Sequence, residues 1–339
     1  MFHRKSFQKG KVTTAMIEFK DVSKTYRVAK RKSGMGNAVK SFFSREYNTV
    51  HALQDVSFTV RDGECVGYIG PNGAGKSTTI KIMCGVLTPD GGECRIDGRI
   101  PYKERVAHVR DIGVVFGQRS QLWWDVPVID SFDLIRDIYR VEEGIYRKNV
   151  KELTELLDLE EILQTPVRTL SLGQRMRCEI AASLLHDPKV LFLDEPTIGL
   201  DAVSKLAVRK FIRELNARKG TTIVLTTHDM QDIEALTERI LFIGRGRILL
   251  DGKLSDVKKQ ISERKTMVIT YQGEPPVLRE EMKLVESGKG RMTVSFEPSE
   301  LAVPGAISYF AAHTQLLDVS VSDITTEEMV AQMYKEYKL

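Results

Sequence analysis

The amino-acid sequence predicts an α/β protein with a mostly parallel sheet at its core and a smaller α+β domain after about residue 258. Three observations lead to this prediction. Short apolar runs alternate with helical patterns through the larger part of the chain. A glycine-rich segment stands between one of these runs and the helix that follows it. Nearer the C-terminal end, strand-like segments such as "KTMVITYQ" and "RMTVSFEP" replace the alternation.

The composition fits a soluble globular chain that is large enough for two domains. The 339 residues are 42% hydrophobic and 28% charged, and the net charge of +4 gives no argument for nucleic-acid binding. The four cysteines lack the paired spacing of zinc or redox sites, which favours a reduced, cytosolic protein. No stretch approaches the roughly 20 apolar residues that span a bilayer. If the protein works at a membrane, we expect another chain to cross it.

Basic residues are concentrated near the start of the chain. The first fifty residues carry twelve Lys or Arg against Glu18, Asp21 and Glu46. This excess is compatible with a solvated basic edge and with contact to an anionic membrane surface. We expect residues 1–15 to form a flexible basic extension, and their lack of an apolar core argues against a signal peptide.

The first elements follow from alternation and turn signals. The segment "MIEFKDVSKTY", from Met16, alternates apolar and polar residues and predicts a strand. A polar, basic insertion at about 27–50 comes next, with a short amphipathic helix expected near "AVKSFF". The segment "HALQDVSFTVRDGECVGYIG" then predicts two strands joined by a turn at Asp62-Gly63.

The later elements of the main domain alternate between strand and helix. "GGECRIDGRI" predicts a turn and strand, and "DIGVVFGQ" a buried strand. A helical region at about 120–185 follows, and Pro188 separates its last helix from the apolar strand "KVLFLDEP". A further helix, "AVRKFIREL", and a further strand, "TTIVLTTH", continue the pattern.

The glycine-rich segment fits the phosphate-binding loop G-x-x-x-x-G-K-[ST]. Missing side chains allow backbone N–H groups to curl around phosphate oxygens, and the following helix directs its positive end toward them. Lys76 can reach the β- and γ-phosphates, and the Ser77 hydroxyl can ligate Mg²⁺. The predicted nucleotide-binding residues are Gly70, Pro71, Asn72, Gly73, Ala74, Gly75, Lys76, Ser77 and Thr78.

A pair of carboxylates ends the strand "KVLFLDEP". Burying charge is costly, so packing does not explain Asp194 and Glu195 at the end of a buried strand. Asp194 can hold the Mg²⁺ shell, and Glu195 can act as general base toward an attacking water. A solvated strand end is the alternative interpretation.

Together with these motifs, four further segments resemble the ATP-binding subunits of ABC transporters between about Met16 and Gly252. "LSLGQ" (170–174) is similar to the signature motif, usually LSGGQ, and "GLD" (199–201) is similar to the D-loop. Gln118 matches the Q-loop glutamine, and His228 in "TTHD" matches the switch histidine. The order and spacing of these motifs carry the resemblance.

The resemblance implies a P-loop NTPase cassette at 16–257, with antiparallel β and helical subdomains, and an accessory domain at 258–339. It implies an ATPase that uses ATP and Mg²⁺. In such a cassette His228 contacts the γ-phosphate and Glu195, whereas Gln118 reaches Mg²⁺ and the attacking water. Tyr26 is similar to the aromatic residue that stacks on adenine, although the insertion after it leaves a displaced surface aromatic as an alternative.

The signature and D-loop matches imply that two chains share each ATP. In the family, Ser171, Gly173, Gln174 and Asp201 complete the site of the opposite subunit. Leu172 replaces a glycine that is common in this motif, so its side chain has to point away from the phosphate. A plain N-cap at Ser171 is the alternative.

The resemblance also implies a partner and a location. We expect a head-to-tail homodimer that drives a separate transmembrane permease, without nucleic acid, peripherally on the cytoplasmic face of a bacterial inner membrane. The amino-acid sequence around the phosphate loop is similar to that of ATPases that export drugs, sodium or viologens. An importer ATPase with a regulatory tail and a soluble, non-transport ABC ATPase are the alternatives.

Overall fold

The computed structural model describes residues 15–29, 47–117, 119–261 and 264–339. Within these, contacts divide the chain into two compact units between Asp251 and Gly252. This division comes slightly before the change of pattern that the sequence shows at about 258. The basic extension up to residue 14, the helix expected near "AVKSFF" and Gln118 lie outside the described residues.

Within the described residues, nine strands and seven helices precede or reach the division between the units. The strands are β1 (Ala15–Ala29), β2 (Tyr47–Arg61), β3 (Cys65–Ile69), β4 (Gly91–Ile96), β5 (Ile112–Phe116), β6 (Val190–Asp194), β7 (Thr222–Thr226), β8 (Arg239–Gly244) and β9 (Arg247–Lys253). The helices are α1 (Lys76–Met83), α2 (Arg105–Arg110), α3 (Val128–Tyr139), α4 (Glu143–Leu157), α5 (Leu172–Leu184), α6 (Ala202–Lys219) and α7 (Met230–Leu236). Two 3-10 turns are at Glu160–Ile162 and Val167–Thr169.

The core sheet has six strands in the order β5-β6-β7-β3-β8-β9. The pairs from β5 through β8 are parallel, which confirms the predicted mostly parallel core. Strands β6 and β7 are apolar over nearly their whole length because helices cover both faces of such a sheet. The carboxyl ends of β3, β6 and β7 lie along one edge, where ligands bind in sheets of this kind.

A separate antiparallel sheet has the order β2-β1-β4. The insertion is narrower than the predicted 27–50, because Arg27 pairs with Thr49 and Ala29 with Tyr47. The first and last residues of the predicted insertion therefore belong to strands β1 and β2, which extend as a two-stranded ribbon. The turn at Asp62-Gly63 does join two strands, but they belong to different sheets, since β2 pairs with β1 whereas β3 lies between β7 and β8.

The predicted helical region contains α3, α4 and α5, which share one apolar core with the adjacent face of the parallel sheet. Phe132 of α3, Leu153 of α4 and Ile180 of α5 are buried in this core. The helical periodicity of the sequence therefore correctly predicted helices in this region.

The second unit is an α+β structure. Its strands are β10 (Lys265–Gln272), β11 (Met282–Gly288), β12 (Arg291–Phe296) and β13 (Gln315–Asp323), in the antiparallel order β11-β12-β10-β13. Its helices are α8 (Leu254–Ile261), α9 (Val303–His313) and α10 (Thr326–Glu336). Phe310 of α9 packs with Met267, Val294 and Phe296 in a core of its own. Throughout the described ranges of both units, every helix is too short or too polar to span a bilayer.

Candidate functional site

The phosphate loop connects β3 to α1 and passes close to neighbouring backbone. A Cβ at Gly75, where φ is 115°, would lie 2.6 Å from the carbonyl oxygen of Ala52. A Cβ at Gly70 would overlap the carbonyl of Ile243. Only glycine fits both positions. The loop is also tied to the chain beyond β8, because Gly246 N donates to Ala74 O at 2.9 Å.

Lys76 is buried and folds back over the loop. Its Nζ donates to the carbonyl oxygens of Gly70 (2.7 Å) and Pro71 (3.1 Å). Burial lowers the pKa of Lys76, while the negative charges of Glu195 and Asp194 act in the opposite direction. The buried ammonium group of Lys76 would stabilise an anion that binds in the loop, whereas a cation is needed to offset the two carboxylates.

Beside the loop lies a cleft of about 330 Å³ that is lined by Ser77, Lys81, Phe116, Asp194 and Glu195, among others. Asp194 ends β6, and its Oδ1 accepts a 2.5 Å hydrogen bond from the Thr226 hydroxyl at the end of β7. The Ser77 hydroxyl and the Asp194 carboxylate therefore face the same cleft. An oxygen-only donor set of this size suits Mg²⁺, which keeps water and phosphate oxygens as its other ligands.

Glu195 and His228 are brought into direct contact. His228 Nε2 lies 2.7 Å from Glu195 Oε1, although the two residues follow different strands. Glu195 has φ of 57°, in the left-handed region that non-glycine residues adopt at a cost. Its amide donates to Thr226 O at 2.9 Å, which fixes the turn at the edge of the sheet. The carboxylate is consequently aimed at the histidine and the cleft.

The signature segment begins α5 with a capping box. Ser171 Oγ accepts from Gln174 N at 3.2 Å, and Gln174 Oε1 accepts from Ser171 N at 2.9 Å. The N-cap interpretation of Ser171 is therefore correct as a description of its local bonds. It does not compete with a binding role, because a capped helix start still presents its positive end outward.

The D-loop lies against the signature segment of the same chain. Asp201 caps α6, and its carboxylate accepts from the amide and the hydroxyl of Ser204, both at 2.9 Å. These hydrogen bonds lower the pKa of Asp201. Ser204 in turn packs on Gly173, and Leu172 Cδ2 would lie 2.9 Å from a Cβ at Gly199. The Leu172 side chain thus points toward the D-loop.

Tyr26 is half-buried on β1 and pairs with Val50 of β2. The same ribbon carries Ala52, whose carbonyl faces Gly75 of the phosphate loop. Tyr26 consequently belongs to an element that borders the loop. Gln118 lies outside the described residues, but its neighbour Gly117 is bonded to Asp194, since Gly117 N donates to Asp194 O at 2.8 Å.

The sequence patterns did not identify two threonines of this region. Thr226 holds Asp194, and Thr227 donates to the buried carboxylate of Asp232 at 2.9 Å. The signal was present in "TTHD", because two hydroxyl residues directly before a strand-end histidine are unusual for a buried strand. Their partners are far away in sequence, so the spacing alone did not reveal them.

Comparison with known proteins agrees with this geometry. The sequence pattern of the ABC transporter family matches residues 53–198. The chain is 38% identical to the Nod factor export ATP-binding protein I of Paraburkholderia xenovorans over 240 residues, which is 70% of this chain and 77% of the relative.

The chain belongs to the ABC transporter family.

Two more comparisons agree with the assignment of this ABC ATPase. An uncharacterized ABC transporter ATP-binding protein of Bacillus subtilis, YhcH, is 28% identical over 287 residues, covering 84% of this chain and 92% of the relative. A solved dimeric ATP-binding cassette in a post-hydrolysis state, bound to ADP and Pi, has a TM-score of 0.59 at 28% identity, covering 70% of this chain and 99% of the other.

The family assignment confirms several expectations from the sequence. The chain is the ATP-binding subunit of a transporter, it has the P-loop ABC ATPase fold, and its activity is ATP hydrolysis. ABC cassettes bind ATP, form dimers and work with transmembrane subunits.

Proposed function

We propose that this ABC ATPase hydrolyses ATP in the cleft beside its phosphate loop, with Glu195 as the general base. The 2.7 Å contact between Glu195 Oε1 and His228 Nε2 carries this proposal. A general base has to reach the attacking water and be oriented by a second group. Glu195 follows the strand end that lines the cleft together with Ser77.

The phosphate loop binds the triphosphate of the substrate. Lys76 exchanges its bonds to the carbonyl oxygens of Gly70 and Pro71 for charge-assisted bonds to the β- and γ-phosphates. The N-terminus of α1 adds its partial positive charge at the same place. We assign the remaining contacts of the loop to Asn72, Gly73, Ala74, Gly75 and Thr78.

Ser77 and Asp194 would hold Mg²⁺, with the Q-loop glutamine Gln118 as a further ligand. When bound, the ion neutralises charge that develops on the phosphates. Thr226 keeps the Asp194 carboxylate in one orientation through its 2.5 Å hydrogen bond. A carboxylate with a fixed direction loses less conformational freedom when it meets the ion and its water shell.

Hydrolysis is an in-line attack of water on the γ-phosphate. Glu195 accepts the proton of that water, and His228 holds Glu195 in position and bonds the γ-phosphate. Tyr26 stacks on the adenine. Each group contributes by position and charge, because phosphoryl transfer needs little covalent chemistry from the protein.

The active form is a head-to-tail homodimer in which Ser171, Gly173, Gln174 and Asp201 complete the ATP site of the partner. Large apolar side chains are exposed around these helix starts, and water-exposed apolar groups of this kind mark protein interfaces. They are Leu172, Ile198, Val203 and Leu206. An interface of this kind is two-fold symmetric, so each chain supplies both halves of a site.

Dimer closure and opening drive a transmembrane permease, and export is the direction that the Nod factor relative favours. Trp123 and Trp124 support a protein contact on the face next to the Q-loop, because they are 59% and 50% exposed. Aromatic residues exposed in this way are typical anchors of interfaces. The cassette would then be a peripheral protein on the cytoplasmic face of a bacterial inner membrane.

The Glu195→Gln variant tests the catalytic part of the proposal. We expect steady-state ATP hydrolysis to fall by about 10²- to 10⁴-fold, since the amide cannot accept the proton. ATP should still bind, and the variant should accumulate as an ATP-bound dimer in size-exclusion chromatography. Glu161→Gln, at an exposed glutamate of a 3-10 turn, is the matched control and should behave as wild type.

Hydrolysis at the wild-type rate by Glu195→Gln would refute the assigned base. A variant that stays monomeric with ATP would refute the dimer. For the permease, detergent extraction should recover a multi-spanning membrane protein with the tagged cassette, and replacement of both Trp123 and Trp124 by Ala should reduce the yield. Recovery of ribosomes without a membrane protein would instead support the non-transport alternative.

A further inference from the structure

A buried carboxylate lies near the catalytic groups without a hydrogen bond to Glu195 or His228 in the described structure. Asp232, in the first turn of α7, has 0% exposure. A buried charge is costly unless it is paired and hydrogen-bonded. Asp232 Oδ1 accepts from Arg209 Nε at 2.5 Å, and its Oδ2 accepts from the hydroxyls of Thr197 and Thr227. All of these partners are themselves buried.

The two threonines stand next to the catalytic residues in the chain. Thr197 is the second residue after Glu195, and Thr227 directly precedes His228. One carboxylate oxygen of Asp232 therefore holds together the two loops from which Glu195 and His228 project. Hydrogen bonds to a charged acceptor are shorter and stronger than those between neutral groups.

The backbone at Glu195 gives this clamp a physical task. Its φ of 57° is in the left-handed region, a conformation that persists only when the surroundings enforce it. On the strand side, Glu195 N is held by Thr226 O at 2.9 Å. On the other side, Thr197 is held by Asp232. Both sides of the strained residue are thus fixed.

Arg209 balances the charge of Asp232 and extends the network to α6. Its Nη2 lies 3.1 Å from Asp229 Oδ2, and that carboxylate also accepts from Lys205 Nζ at 2.6 Å. Asp229 in turn caps α7 through Gln231 N. The network joins the loop after β6, the loop after β7 and the helix that the D-loop begins.

We propose that Asp232 is a positioning residue for ATP hydrolysis. It holds Thr197 and Thr227 so that Glu195 Oε1 and His228 Nε2 remain in contact while the substrate and the partner chain come and go. The inference rests on the proposed function, because it takes Glu195 as the base and His228 as its orienting partner.

The test removes hydroxyl groups and leaves the ion pair intact, because replacement of Asp232 would also remove the carboxylate that pairs with Arg209 Nε. The main variant is Thr197→Val, whose shape matches threonine, and Thr227→Val is the second. Thr222→Val is the matched control: Thr222 is buried on the same strand as Thr226, but its hydroxyl bonds Gly63 N at 2.9 Å. Thr197→Ser and Thr227→Ser keep the hydroxyl and should restore function.

We expect Thr197→Val and Thr227→Val to lower kcat by about 10- to 100-fold, as small misplacements of catalytic groups do. The KM for ATP should stay near the wild-type value, since the phosphate loop is untouched. Their melting temperatures should match that of Thr222→Val, and the serine variants should recover most of kcat.

Two results would overturn the proposal. One is a kcat for Thr197→Val that equals the kcat of Thr222→Val. The other is a joint loss of kcat, ATP affinity and melting temperature that serine does not rescue, because that pattern describes a general packing defect. The Glu195→Gln measurement separates the two proposals. Hydrolysis at the wild-type rate by Glu195→Gln would refute Glu195 as the base. An inactive Glu195→Gln together with a fully active Thr197→Val would refute only the positioning role of Asp232.

Discussion

Gly173 and Ser204, each near the start of a helix, pack so closely that a methyl group on Gly173 would lie 2.9 Å from Ser204 Cβ and overlap Ser204 Oγ. The signature segment and the D-loop of one chain are therefore a single packed unit. The glycine is required here by its neighbour, independently of any ligand that it contacts.

Gly173→Ala should destabilise the protein by about 1–3 kcal/mol, the range found for overpacked interiors. Urea unfolding measures this cost. Gly144→Ala is the control, because that glycine in the first turn of α4 meets only a carboxylate oxygen at 3.4 Å. Adding Ser204→Gly to Gly173→Ala should return part of the loss, and equal costs for Gly173→Ala and Gly144→Ala would contradict the packing argument.

Gly75→Ala should cost more stability than Gly73→Ala in the phosphate loop. Both glycines have positive φ, which costs an alanine about 1–3 kcal/mol. Only Gly75 also faces backbone, at 2.6 Å from Ala52 O, whereas a Cβ at Gly73 meets nothing within 4 Å. Thermal unfolding of the two variants without nucleotide gives the comparison, and an equal loss would mean that the loop shifts away from β2.

Glu179→Gln should change how stability depends on pH. Glu179 of α5 is 5% exposed, and burial raises its pKa despite hydrogen bonds from Ser120 Oγ and Gln121 N. As pH rises, the unfolded chain therefore loses the Glu179 proton at a lower pH than the folded protein does. Stability falls as pH rises from the ordinary value of 4.5 toward the raised one, and stays reduced above it.

Glutamine cannot ionise, so the unfolding free energy of Glu179→Gln relative to wild type should rise through the same pH window and then level off. Urea titrations between about pH 5 and pH 8 measure it. Glu161→Gln again supplies the exposed control, for which the difference should be flat. A flat difference for Glu179→Gln would mean that the carboxylate titrates as it does in water.

Arg175→Ala should be visible in tryptophan fluorescence, because Trp123 and Trp124 are the two tryptophans of the chain. The Arg175 guanidinium lies 5.4 Å from the ring centre of Trp124, and such contacts contribute about 0.5–1 kcal/mol at exposed sites. In a Trp123→Phe background, Arg175→Ala should shift emission to longer wavelength and increase acrylamide quenching. The same change in a Trp124→Phe background should leave the spectrum unaltered.

Phe310→Ala should destabilise the second unit by about 3–5 kcal/mol, the usual cost of emptying a buried phenylalanine site. Phe310 has 0% exposure and belongs to the core that α9 forms with the sheet β11-β12-β10-β13. Ser308→Ala, at an exposed position of the same helix, should be nearly neutral. Hydrogen exchange of the β10 and β12 amides measures both, and unchanged protection in Phe310→Ala would argue against this core.

The sequence by itself determined the features that depend on neighbours along the chain. The phosphate loop, the apolar strands, the helical periods and the paired carboxylates after β6 are local patterns, and each arises from the geometry of a short segment. The order of these motifs along the chain was enough to identify the family. The limits of the insertion were less accurate, because the ribbon pairing that extends β1 and β2 is made across the insertion itself.

The tertiary structure decided which distant residues meet. Glu195 and His228 were both candidates, but only the parallel pairing of β6 with β7 brings them within 2.7 Å. The same pairing brings Thr197 and Thr227 close enough for both hydroxyls to donate to Asp232. Helix packing brings Ser204 into contact with Gly173. These contacts depend on the register of strands and the docking of helices, which no single segment encodes because they arise when the whole core is buried at once.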